Sequence, residues 1–216
     1  MIRWSGGAGA PPDHHPPMSR KLTLADIADH RAYERERDEF RAQVIALKKR
    51  RRVHLGTFVT LLFENRDTIR FQIQEMARIE RLLSDEAIQG ELDAYNPLIP
   101  EPGQLSATLF LELTTDAQLR EWLPKLVGIE RSLLLRAGDG EAAVEVRAAP
   151  EEGHEAQLTR EEVTASVHYV RWELTPTEIA AVERGPVSVV VDHPAYGEVA
   201  ELLPATVAEL LADLHP

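Results

Sequence analysis

The sequence contains no cysteine. That excludes disulfides, thiolate ligation of an iron–sulfur cluster by this chain and any thiol nucleophile, and leaves open iron, zinc or manganese held by His and carboxylates. Long apolar runs are missing too. The longest β-like one, Val187 to Val191, is far short of a membrane span, so no membrane insertion is expected. Positive charge is scarce, with 24 Lys and Arg against 36 Asp and Glu and a net charge of -12. Such a chain lacks the positive field that nucleic acid or an anionic membrane requires of its main partner. Recognisable catalytic motifs are absent: there is no glycine-rich phosphate loop after a strand, no nucleophile elbow and no His pair at zinc-helix spacing. The di-iron pattern Glu-x-x-His also fails, because Arg78 follows Glu75 and Leu83 follows Glu80 at the third position. What remains is a composition of 44% hydrophobic and 28% charged residues over 216 positions, enough to bury a core. The expectation is one cytoplasmic domain over 18–216.

Residues Met1 to Pro17 are rich in Gly, Pro and small side chains and lack the apolar segment of a secretion signal. They are expected to be disordered, with Met18 as a candidate start. The His14-His15 pair offers no preorganised metal site there. Thr23 with Asp26 predicts a short capped helix, and a second helix is predicted from Tyr33 to Arg51. Its terminal run Lys48 to Arg52 suits a helix C-terminus, where the dipole favours cations, better than an anion patch.

The hub of the pattern is a helix predicted from Asp67 to Ser84, entered from the apolar strand Val53 to Phe63. At 100° per residue Ile69, Ile73, Met76, Leu83 and Ala87 form a core-facing stripe that contains Glu80. Phe71, Ile79 and Leu82 cover the opposite flank together with Glu75, which leaves Gln74, Arg78 and Arg81 to water. A carboxylate on a buried stripe needs a partner, so Glu80 is expected to be sealed from solvent and answered. Gly56 marks a bulge or a close backbone approach. After a weaker helix to about Ala94, Tyr95 to Pro100 reads as an apolar loop closing over the core.

From Leu105 the period changes to two. A strand from Leu105, a helix from Asp116 to Val127 stopped by Gly128, and a hairpin around Gly138-Asp139-Gly140 follow in order. Pro150 to Glu162 is an acidic surface loop containing His154. The strand Ala165 to Leu174 places His168, Val170, Trp172 and Leu174 on one face and Tyr169, Arg171 and Glu173 on the other. Thr175-Pro176-Thr177-Glu178 starts a helix, Val187 to Val191 is a buried strand, and Pro204 to Leu214 is the last helix. The whole predicts an α+β fold, with N-terminal helices packed on a mostly antiparallel sheet.

Two constellations could carry chemistry. His168 on an apolar strand face, His193 at a strand end and Glu80 would make a metal site for iron, zinc or manganese if the fold joined them. Glu75, Tyr95 and Asn96, with Glu80 and His168, could wall a small-ligand pocket. Against both stands ordinary structural pairing of each His with an oxygen and of each Glu with Arg66, Arg70, Arg78 or Arg171.

The strings RAQVIALKKRRRVHLG, TLLFENRDTIRFQIQEMARIER, ELDAYNPLIP, SVHYVRWEL and VDHPAYGEV together resemble the bacterial domain-of-unknown-function family numbered 3501, from Leu22 to about Val199. The resemblance implies no activity. It does imply company with rubrerythrin-like and iron–sulfur oxidoreductase partners, hence a non-catalytic accessory role in a redox system. A small His/carboxylate metalloprotein and a ligand-binding module are the alternatives.

Overall fold

Strands that alternate side chains between two faces need two different coverings, and this chain supplies them from opposite ends of its sequence. The computed structural model describes residues 20–151 and 163–216. The His14-His15 pair, the expected start at Met18 and His154 lie outside the described residues. After a 3-10 turn at Leu24–Asp26 come α1 (His30–Arg51), β1 (Arg52–Leu55), β2 (Val59–Glu64), α2 (Arg66–Glu80) and α3 (Asp85–Tyr95). The second half contains β3 (Gln104–Leu111), α4 (Asp116–Lys125), β4 (Leu133–Ala137), β5 (Val144–Arg147) and β6 (Ala149–Pro150). It continues with β7 (Val167–Glu173), α5 (Pro176–Arg184), β8 (Val187–His193), β9 (Tyr196–Glu201) and α6 (Pro204–Leu214).

The α+β class is as expected, with two antiparallel sheets in place of one. Their strand orders are β1-β2-β3-β7-β6 and β5-β4-β8-β9. β1 lies against β9 and β5 against β7, so the sheets meet along both sides. Leu61, Phe63, Leu109 and Trp172 of the first sheet share one buried core with Leu135, Val189 and Val191 of the second and with Leu210 of α6. A smaller cluster, Ile69, Ile73, Leu92, Leu98 and Ile99, lies beneath the N-terminal helices.

Local chemistry sets the helix ends. Asn65 caps α2 by accepting from Asp67 and Thr68 N–H groups, and its own N–H donates in return to the Thr68 hydroxyl. α2 ends at Glu80, four residues short of the expected Ser84, because Arg81 turns left-handed at φ 56° and the Leu82 N–H closes on the Ala77 carbonyl. Thr175, Pro176 and Glu178 build the capping box expected for α5. Gly56 is a close approach: at φ 69° its missing Cβ would lie 2.5 Å from the Tyr196 hydroxyl. That hydroxyl donates to the Leu55 carbonyl at 2.7 Å and accepts from the Thr57 N–H at 2.9 Å, so β9 pins the β1–β2 turn.

The helical layer is fixed by Arg51, which is fully buried. Its Nε donates to the Phe63 carbonyl at 2.9 Å and its Nη2 to the Glu64 carbonyl at 3.1 Å. The remaining face meets Glu209 at 3.2 Å and Asp213 of α6. Arg50 also pairs with Glu209, at 2.6 Å, and Arg52 with exposed Glu112, at 3.4 Å, so three of the five cations from Lys48 to Arg52 meet carboxylates of the same chain. Removing a buried charge strands its partners and costs about 3–5 kcal/mol. Arg51→Met is therefore expected to lower the unfolding free energy by that much, read as a lower urea midpoint at an unchanged m-value, and a loss below ~1 kcal/mol would contradict this role.

Candidate functional site

A sheet face buried under helices is normally apolar, since burying polar groups costs free energy unless each is bonded. Here the face of the first sheet turned toward α1, α2 and α3 is largely polar. Its rows read Leu62–Thr108–Tyr169 and Glu64–Ser106–Arg171, whereas the rows turned to the common core read Leu61–Leu109–His168 and Phe63–Ala107–Val170. Between the polar face and the helices lies a pocket of about 130 Å³, walled among others by Glu64, Thr68, Tyr95, Thr108 and Tyr169, with Lys48 of α1 contributing. Glu64 is buried. Its Oε2 accepts from the Thr68 hydroxyl at 2.5 Å and its Oε1 from the Thr108 hydroxyl at 2.6 Å. Burial, and then the nearby Tyr95 phenol and Glu64 carboxylate, hold the Tyr169 phenol above its ordinary pKa.

Of the residues expected from sequence, Tyr95 alone lines this pocket. Asn96 instead clamps the incoming chain, accepting from the Leu22 N–H at 2.8 Å and donating to the Leu22 carbonyl at 2.9 Å. Glu75 is a structural partner: it takes both Arg37 Nε and Nη2, at 2.7 and 2.9 Å, and the Tyr33 hydroxyl at 2.7 Å. The Arg37 bonds hold the Glu75 carboxyl below the usual range against the opposing effect of burial, with Tyr33 helping. Glu80 corrects the central expectation, because it is exposed at the last position of α2. The early end of α2 removes Leu83 from the helix and leaves Glu80 in solvent, while Ile69 and Ile73 of the expected stripe are buried. Gln74, expected in water, is buried instead, its amide bonding the N–H and carbonyl of Ala28 at 3.0 and 2.8 Å.

Both candidate histidines are hydrogen-bonded within the fold. His193 Nε2 lies 3.1 Å from the Val127 carbonyl and Nδ1 accepts from the Ala195 N–H at 3.2 Å, which locks the turn after β8. His168 Nε2 lies 2.9 Å from both the Thr164 hydroxyl and the Ala165 carbonyl, and its Nδ1 is 3.9 Å from Oε2 of buried Glu130. Its carboxylate partner is thus Glu130 and not Glu80. Among the described residues no three of His, Asp and Glu gather as metal ligands, so Glu80, His168 and His193 are not brought together. Glu64, Thr108 and Tyr169 lie on three strands that only the folded sheet makes neighbours, so no local stretch of sequence groups them. The available signal was the single carboxylate closing the apolar string TLLFE.

A second feature lies at the α2–α3 corner. Ile79 and Leu83 are 66% and 81% exposed. Leu83 lines a groove of about 180 Å³ together with Leu24, Ile27, Leu82 and Ile88 and with the polar side chains of Asp29, His30, Tyr33, Gln74 and Asp85. Arg78, also in the lining, is held by Glu34 at 2.5 Å.

The profile of a family described as "Protein of unknown function (DUF3501)" matches residues 21–214. A crystal structure of a novel protein of unknown function from Burkholderia pseudomallei K96243 is 40% identical, with a TM-score of 0.81, covering 90% of this chain and 99% of that one. No curated protein matches the sequence. No helix among the described residues is long and apolar enough to cross a membrane.

The His168 site predicts a pH effect. Burial lowers the imidazole below its ordinary 6.5, against the opposing pull of Glu130 and the Ala165 carbonyl. The unfolded chain then takes up a proton that the folded one excludes, so stability is full above about pH 6.5 and falls as pH drops below it. Urea midpoints from pH 8 to 5 are expected to decline less in His168→Gln than in the parent, and parallel curves would contradict the assignment.

Proposed function

The chain belongs to the DUF3501 family, and from that premise we propose that it is a non-catalytic accessory protein that docks a partner through its α2–α3 corner. The observation that carries this reading is the exposure of Ile79 and of Leu83, the latter lining a groove of mixed polar and aliphatic character, while Glu75, His168 and His193 are tied to internal partners. Exposed aliphatic side chains beside a concave surface offer apolar area that a partner can bury. The acidic members of the lining, Asp29 and Asp85, with exposed Glu80 and Glu86 nearby, suit a partner segment that places an apolar side chain against Leu82 and Leu83 and Lys or Arg around it. The family resemblance supplies the finer part of the proposal: the partner is a rubrerythrin-like or iron–sulfur oxidoreductase protein of the same cell, met in the cytoplasm.

The test is a titration of purified full-length protein against a rubrerythrin-like protein and an iron–sulfur oxidoreductase from its own genome. Binding to one of them is expected to weaken at least tenfold in an Ile79→Asp, Leu83→Asp double variant whose Tm stays within about 3 °C of the parent, as surface changes allow. Absence of binding to both, or binding indifferent to the double substitution, overturns the proposal.

A further inference from the structure

The pocket between the polar sheet face and the helices carries an inference independent of the docking corner. An ionised carboxylate offers about four acceptor positions. Thr68 and Thr108 fill one on each oxygen of Glu64. No cation pairs with Glu64 among the described residues, although it is buried at 6% exposure. A carboxylate in this setting calls for a positively charged or strongly donating group on its open side. That side is the cavity, with Tyr95 and Tyr169 as aromatic neighbours that also favour a cation.

Lys48 lines the same cavity. Its ammonium lies 5.5 Å from the centre of the Phe71 ring and makes no ion pair with Glu64. One pocket thus holds a fixed negative charge and a separate positive one that do not neutralise each other. A simple amine would be opposed by Lys48 and a simple carboxylate by Glu64. A molecule bearing both an ammonium and a carboxylate satisfies both. Size narrows the class further: a cavity of about 130 Å³ is comparable to the ~150 Å³ site that holds benzene, so it takes about six non-hydrogen atoms. The remaining walls include Leu62, Ile69, Leu98 and Phe110, which suit a short aliphatic stem. We propose that this pocket binds a small zwitterionic amino acid, its ammonium on Glu64 between the two tyrosines and its carboxylate toward Lys48.

Full-length protein labelled with nitrogen-15 is titrated with alanine and β-alanine, and with propylamine and propionate as the two half-ligands. At least one zwitterion is expected to shift amide signals at Glu64, Thr68 and Thr108 saturably, and each half-ligand to bind at least tenfold more weakly. Glu64→Gln should weaken the zwitterion at least tenfold. Lys48→Met, at a half-exposed site that leaves the fold intact, should weaken the zwitterion by a similar factor while sparing propylamine. Propylamine binding as tightly as the zwitterion, a zwitterion indifferent to Lys48→Met, or no saturable shift with any of the four overturns the proposal.

Discussion

A guanidinium sealed from water must have its N–H groups answered by fixed acceptors, and Arg51 finds them on two carbonyls at the end of β2 and two carboxylates of α6. That requirement places the C-terminus of α1, the entry to α2 and the last helix in one geometry. The carbonyl of Glu64 is among the acceptors, so the backbone that presents the pocket carboxylate is held from below by Arg51. The Glu64 side chain is held from the other direction by Thr68 and Thr108. Scaffold and pocket are consequently one bonded system.

The first sheet separates two tasks by strand parity. Odd-numbered β2 positions Leu61 and Phe63 join the common core, while Leu62 and Glu64 face the helices. A sheet with two apolar faces would have packed more cheaply; the polar face is retained where hydroxyls and a carboxylate can bond one another. The same polarity explains why the apolar cluster under the helices is small and shifted toward Leu22, Leu98 and Ile99.

Much of the architecture was legible in the sequence. Period-two alternation located β3 and β7, Thr175-Pro176 started α5, and Pro204 to Leu214 is α6 as expected. The helix hub was placed correctly and terminated wrongly. No glycine or proline marks the stop, and a left-handed arginine at 81 is invisible to period counting. That single residue turned Leu83 outward and exposed Glu80, the one expected site residue on the stripe, while Ile69 and Ile73 stayed buried. Gln74 looked solvent-facing by helical angle, but the Ala28 backbone passes over it, a long-range fact that no local window contains. Glu64 was hidden for a related reason: a carboxylate after an apolar strand looks like turn chemistry until Thr108 arrives from a distant strand.

The Tyr196 latch on the β1–β2 turn spans 141 residues of chain to reach the Leu55 carbonyl, and Arg51 reaches 162 residues to Asp213. Contacts of such sequence separation form only after the loops between them have closed, and they slow folding accordingly. During synthesis the amino-terminal hairpin and α1 therefore emerge long before the strand and helix that complete them. The nascent first half must wait, incompletely locked, until Tyr196 and Asp213 have been made and have folded back onto it.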